Sequence, residues 1–175
     1  FQLEACTRFR PAIGVLLNVT PDHLDRHGSM ERYAGLKARL FQHQTEEEYR
    51  VQPLGDRRIE LLLRPMKSKP LWFGFADPTG DGVWEQGGTL RYRFAGKAGT
   101  LIRRDEAALP GPHNTENMAA AGAAALAAGV PERAVAKALR EFRGLPHRLT
   151  LVAEIAGVRY VNDSKATNVD ALKRG

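Results

Sequence analysis

One cysteine, Cys6, occurs in 175 residues, so no internal disulfide can staple the chain. A lone thiol favours a reducing compartment, and Cys6 is expected to serve as a buried apolar side chain rather than as a nucleophile. Long hydrophobic runs are also missing. The most apolar stretch of useful length is the alanine run around Ala119, which is short and flanked by Asn and Pro, so no membrane span is expected. The opening, FQLEACTRFRP, does not read as a signal peptide and starts in mid-element, as though inside a domain. No G-x-x-x-x-G-K-[ST] run occurs, so a phosphate-cradling loop of that type is absent from this sequence. Aromatic residues amount to 7%, and none alternates with the densest basic group, Arg57, Arg58, Arg64, Lys67 and Lys69, which reads as a solvated face.

What is present suffices for a core. Hydrophobic residues make up 43% of the chain, which excludes a disordered chain, and the length suits one domain or one domain plus part of another. A net charge of +6 and a pI near 9.8 suit acidic partners, either nucleotides or nucleic acid.

The chain is organised around residues 18–37, NVTPDHLDRHGSMERYAGLK. The apolar run before it, at 13–17, reads as a buried strand ending in a polar turn, into which Asp22, His23, Asp25 and His27 crowd. Ser29 is placed to cap a helix in which Met30, Tyr33, Leu36, Leu40 and Phe41 recur at helical spacing, continuing to about His43. Acids and imidazoles at the carboxyl end of a strand are where open α/β sheets put ligand sites, although the same residues also make ordinary solvated turns. Lys37 lies two turns into that helix among apolar neighbours. Its amine is therefore expected to be partly shielded from water, the condition for a reactive neutral amine, unless it simply snorkels to solvent.

Residues 44–69 are charged and resist assignment, with 58–63 readable as helix or strand. Strands are expected at 71–75, 83–85, 89–94 and 100–103, the last three joined by Gly87-Gly88 and by AGKAG into a small antiparallel meander decorating the sheet. Leu90, Tyr92 and Phe94 should face a core, with Arg91 and Arg93 in water. Two helices flank Gly129-Val130-Pro131, the first rich enough in alanine to lie close against a sheet. At its start Asn114 and Asn117 share one face near unpaired backbone N–H groups that suit polar or anionic ligands, although Asn114 could equally be a cap. Strands at 149–155 and 158–161 turn about Ala156-Gly157, and the second runs into NDSKATN, suited to ribose and phosphate contacts or to capping a helix from about Val169.

Three stretches, NVTPDHLDRHGSMERYAGLK, GPHNTENMAAA and GLPHRLTLVAEIAGVRYVNDSKATN, in this order and spacing resemble the Mur ligases. NDSKATN with PHR before it is most similar to the branch that joins D-glutamate to UDP-N-acetylmuramoyl-L-alanine, and FQLE fits the tail of that branch's ELSSFQLE stretch. The resemblance covers most of the chain and is thin over 44–108. It implies an α/β fold in which 1–146 is part of a mostly parallel-sheet central ATPase domain with a small antiparallel meander. Residues 147–175 would open a C-terminal dinucleotide-fold domain. It also implies a monomeric cytoplasmic ligase of peptidoglycan precursor synthesis that uses ATP and magnesium, with no nucleic-acid or membrane partner. ATP would phosphorylate the carboxylate of UDP-N-acetylmuramoyl-L-alanine, and the amine of D-glutamate would displace phosphate from the acyl phosphate.

By the same resemblance His23 matches a histidine at the magnesium and substrate site, and Lys37 matches a lysine that becomes carbamylated. Asn114 and Asn117 match adenine-side asparagines. Arg148, Asp163 and Lys165 match contacts to ATP phosphate and ribose, and Thr167 matches a D-glutamate contact. The family's phosphate loop is not in this sequence, and the glutamate that opens ELSSFQLE would precede Phe1. The reading is therefore of an internal piece, expected to be inactive alone. The alternatives are a sister ligase adding another amino acid, a folylpolyglutamate-type ligase, or, from a different class, a basic nucleic-acid-binding module.

Overall fold

The computed structural model describes residues 1–166. A six-stranded sheet of order β1-β2-β3-β4-β5-β6 is built from β1 (Ile13–Val15), β2 (Tyr49–Pro53), β3 (Lys69–Gly74), β4 (Gly82–Gln86), β5 (Thr89–Phe94) and β6 (Lys97–Arg103). Pairings from β1 to β4 are parallel and those from β4 to β6 antiparallel, so the class is the mostly parallel α/β one expected. The meander does more than decorate: β4 hydrogen-bonds to β3, so β4–β6 extend the main sheet.

Two layers of helix cover the sheet. On one face α5 (Pro112–Ala127) and α6 (Glu132–Glu141) close a core in which Val51, Leu71, Phe73, Val83 and Leu90 meet Met118, Ala119 and Ala123. The small side chains of α5 allow the close approach that its alanines suggest, since a Cβ on Gly122 would stand only 3.2 Å from Leu101 Cδ1. On the other face α3 (Met30–Ala38), a 3-10 turn at Arg39–Phe41 and α4 (Arg57–Leu63) bury Leu16, Ala38, Phe41, Ile59 and Leu63. Gly14 in β1 makes room for this layer: a Cβ there would lie 2.6 Å from Phe41 Cε1.

Local chemistry explains the boundaries. Ser29 caps α3, its hydroxyl accepting from the Arg32 N–H at 3.2 Å, as its position predicts. The helix ends at Ala38, earlier than His43, because the chain tightens into the 3-10 turn that seats Phe41. Asp56 caps α4 by accepting from the Arg58 and Ile59 N–H groups, and Ile59 and Leu63, four apart, bury one stripe. Residues 58–63 are thus helical.

Some expectations fail. β1 is three residues long and Val15 and Leu17 are exposed, because β1 lies at the end of the sheet and has one hydrogen-bonded neighbour among the described residues. Cys6 is half-buried, its thiol donating to the Gln2 carbonyl at 3.2 Å, rather than packed in a core. Beyond α6, β7 (Thr150–Ile155) and β8 (Val158–Asn162) pair in a sheet of their own about Ala156-Gly157, where both residues take positive φ as a tight hairpin requires. The helix expected from Val169 lies outside the described residues.

Candidate functional site

The polar turn after β1 is built by two short steps. His23 sits in the left-handed region at φ 51°, opening the four-residue helix α2 (Leu24–His27), and Gly28 at φ 79° closes it. Asp22 supports this conformation, one carboxylate oxygen accepting the His23 N–H at 3.0 Å and the other lying 3.6 Å from His23 Nε2. The His23 imidazole itself is exposed and presents an accessible edge beyond the strand. Arginines fasten helix α1 (Gln2–Ala5) to this turn: Arg26 donates to the Glu4 carboxylate at 3.0 Å, and Arg39 to the Glu4 and Cys6 carbonyls. The Arg26 hydrogen bond holds the Glu4 carboxyl below the usual carboxylate range.

Lys37 is half-buried near the end of α3, with Nζ 4.9 Å from the centroid of Tyr33 one turn earlier. The other neighbour of that ring is His27, stacked at 5.2 Å and an interplanar angle of 26°. His27 is 3% exposed, and its Nδ1 has no hydrogen-bond partner. The structure thus gathers His27, Tyr33 and Lys37 into one contiguous stack. No hydrogen bond or ion pair joins His23 to Lys37 among the described residues, and no group of three or more His, Cys, Asp or Glu side chains converges there. His27 was legible only as one more polar turn residue; its place two residues before the Ser29 cap is the signal that α2 folds it back onto α3.

A second polar element opens α5. Gly111 at φ 89° is the N-cap and Pro112 follows, so no side chain caps this helix. Asn114 does not cap: its Nδ2 donates to the Pro110 carbonyl at 2.7 Å, tying down the approach loop. Asn117 is exposed three residues on. The residue that sequence reasoning missed is Arg104. Its Nε donates to the buried Thr115 hydroxyl at 2.7 Å while Nη2 donates to the Leu109 carbonyl, so one guanidinium fixes the loop to the helix.

The third element joins residues 147–149 to the end of β8. Asp163 accepts from the Leu149 N–H at 3.3 Å, and the Lys165 N–H donates to the His147 carbonyl at 3.2 Å. These backbone bonds bring Arg148 and Lys165, both exposed, to neighbouring strands of one loop pair. Thr167 lies outside the described residues.

Two relatives align over nearly all of the chain. Both are named UDP-N-acetylmuramoylalanine--D-glutamate ligase: that of Pelotomaculum thermopropionicum is 46% identical over 171 residues, 98% of this chain, and that of Acidobacterium capsulatum 44% identical over 176 residues, 99% of it. The chain spans 38% of the length of each. Among solved structures, MurF from Acinetobacter baumannii superposes with a TM-score of 0.72 at 20% identity, covering 94% of this chain and 36% of that one. MurF ligase from Thermotoga maritima in complex with ADP gives a TM-score of 0.66 at 22% identity, over 94% and 38% respectively. Likeness at that identity concerns the fold. Residues 2–125 match the Mur ligase middle domain, and the chain belongs to the Mur ligase family.

Proposed function

We propose that this chain is part of an ATP-dependent amide ligase that adds D-glutamate to UDP-N-acetylmuramoyl-L-alanine in cytoplasmic peptidoglycan precursor synthesis. The observation that carries the reading is 46% identity along 98% of the chain to a ligase named for D-glutamate and UDP-N-acetylmuramoylalanine. Residues 1–146 are assigned to the central ATPase domain and 147–175 to the start of a C-terminal dinucleotide-fold domain. The separate β7–β8 sheet is compatible with that division. The absence of any helix long and apolar enough to cross a membrane, among the described residues, is compatible with the cytoplasmic assignment. The protein is taken to act as a monomer, without nucleic-acid or membrane partners.

Magnesium fits the residues present in part. His23 offers an exposed ring edge, and Lys37, half-buried and free of any carboxylate partner, can carry a carbamate whose two oxygens suit a hard ion. With no cluster of three acidic or imidazole side chains among the described residues, the remaining ligands would be phosphate oxygens, water and other residues. When bound, the ion would offset charge on the transferred phosphoryl group. Asn114 and Asn117 would bind the adenine side of ATP. Arg148, Asp163 and Lys165 would hold its phosphates and ribose, and Thr167 would contact D-glutamate. A carboxylate is a poor electrophile until one oxygen becomes a leaving group, so these residues serve to orient ATP against the substrate carboxylate and exclude water while the acyl phosphate awaits the amine.

The test is amide formation by the complete polypeptide. With ATP, UDP-N-acetylmuramoyl-L-alanine and D-glutamate it should release one phosphate per amide formed, and L-glutamate or a diamino acid should not replace D-glutamate. Efficient use of another amino acid would move the assignment to a sister ligase.

A further inference from the structure

The back of the sheet holds a cavity of about 360 Å³ that the ligase reading does not use. Arg50 and Gln52 line it from β2, Trp72 from β3, and Arg57 and Arg64 from α4. Side chains alternate along β2, so while Val51 enters the core beneath α5, Arg50 and Gln52 point to the opposite face.

Arg50 is the unusual member. It is 8% exposed, and its guanidinium donates to Gln52 Oε1 at 2.9 Å and to the Met66 carbonyl at 3.3 Å, both neutral acceptors. A buried charge is ordinarily paired with an opposite one. Here burial pushes the guanidinium below its ordinary value with no acidic neighbour to offset the shift. Arg57 and Arg64 add two more guanidiniums at the same cavity, seven residues apart and so on one face of α4. The cavity has a single carboxylate, Glu60, and one of its oxygens already accepts the Gly55 N–H at 2.8 Å. Two positive charges are therefore left unbalanced. Trp72 and the exposed Leu61 give the same cavity an apolar wall.

We propose that this cavity is a second ligand site, for a phosphate monoester carried on a planar body: the three arginines take the dianion and Trp72 takes the ring. Arginine suits the task because its planar fork matches phosphate oxygens in pairs, and a doubly charged phosphate matches the charge left over. The volume lies within the range of small-molecule pockets. The site stands on different residues from those assigned to ligation, so it holds or fails independently of that assignment.

Phenyl phosphate is the probe, since it carries the dianion and a ring without being a nucleotide. The complete polypeptide is titrated with it by calorimetry and by tryptophan emission, with inorganic phosphate in parallel. Saturable binding that quenches emission is expected, and inorganic phosphate should bind more weakly. Trp72→Phe should abolish the quenching while the heat remains. Arg57→Ala with Arg64→Ala removes two exposed side chains, leaves the fold standing, and should weaken binding about tenfold or more, as the loss of charge-assisted bonds predicts. Absence of saturable binding, or equal affinity in the double variant, overturns the site. Equal affinity for phosphate and phenyl phosphate without quenching would also overturn it, as an adventitious ion only.

Discussion

The Lys37 amine rests against the face of Tyr33, whose other neighbour is the buried His27 ring. As a cation it gains about 0.5–1 kcal/mol from such a contact. As a carbamate it would give that up and offer two anionic oxygens instead. The two states predict different variants. If the carbamate is what catalysis uses, Lys37→Ala removes most activity of the complete enzyme while the fold persists. Lys37→Arg fails as well, since a guanidinium cannot be carbamylated and would repel a cation. Acetate or formate should partly restore turnover to the alanine variant, and chloride at equal ionic strength should not. Near-normal rates in Lys37→Arg would instead make the lysine a plain cation facing phosphate. Such residues were legible because their type is unusual for their place: a lysine among apolar helix neighbours, a pair of asparagines at a helix start. Arg104 was not legible. Its partners, the Thr115 hydroxyl and the Leu109 carbonyl, are brought to it by the return of the chain into α5, and no local spacing announces them.

Elements are held by contacts that bridge distant sequence, and two are open to direct measurement. Glu48, just before β2, accepts from Arg10 Nε at 2.8 Å and also takes the Thr45 N–H and hydroxyl, so it ties the approach to β2 to the approach to β1. The Arg10 hydrogen bond, with help from the Thr45 N–H, holds its carboxyl down to about 2. A depressed carboxylate stabilises the fold fully above its unfolded value, 4.5, and loses that contribution as pH falls towards about 2. Glu48→Gln should therefore lower the urea midpoint at pH 7, and the gap from the parent should narrow between pH 4.5 and 2. A gap constant down to pH 2 would assign the effect to packing instead. In the sheet, a Cβ on Gly82 would stand 2.2 Å from the Trp72 carbonyl oxygen, whereas one on Gly35 in α3 would meet nothing within 4 Å. Gly82→Ala should cost about 1–3 kcal/mol by forcing β3 and β4 apart, and Gly35→Ala should gain up to about 1 kcal/mol from helix propensity. Thermal midpoints would reveal both signs. The hairpin strands were readable because Leu90 and Tyr92 alternate with arginines and glycines mark the turns. Residues 44–69 were not, because β2 carries Arg50 and Gln52 on one face, and α4 shows only Ile59 and Leu63, four apart, as its buried stripe. A strand with a buried arginine breaks the apolar alternation by which strands are recognised.

Charge and topology at the level of the chain decide what these residues can do by themselves. The parallel portion of the sheet presents its carboxyl ends on the side where the 18–29 turn leaves β1, which is where an open α/β sheet receives ligands. A ligand there still needs donors that fix its phosphates. The largest share of affinity in nucleotide sites of this kind comes from a glycine-rich loop, whose backbone N–H groups cradle the phosphates, and from its lysine. No G-x-x-x-x-G-K-[ST] run occurs within these residues. The net charge of +6 supplies attraction at a distance, which salt screens and which does not orient a γ-phosphate for transfer. The 175 residues expressed alone should thus release no phosphate from ATP above the buffer rate, with or without magnesium and substrate. The complete polypeptide should turn ATP over only when the acceptor carboxylate is supplied. Phosphate release is read by a continuous assay on both proteins at equal concentration. Turnover by the isolated residues would show that their own side chains can fix the triphosphate, and the assignment of that task to a loop elsewhere in the polypeptide would fall.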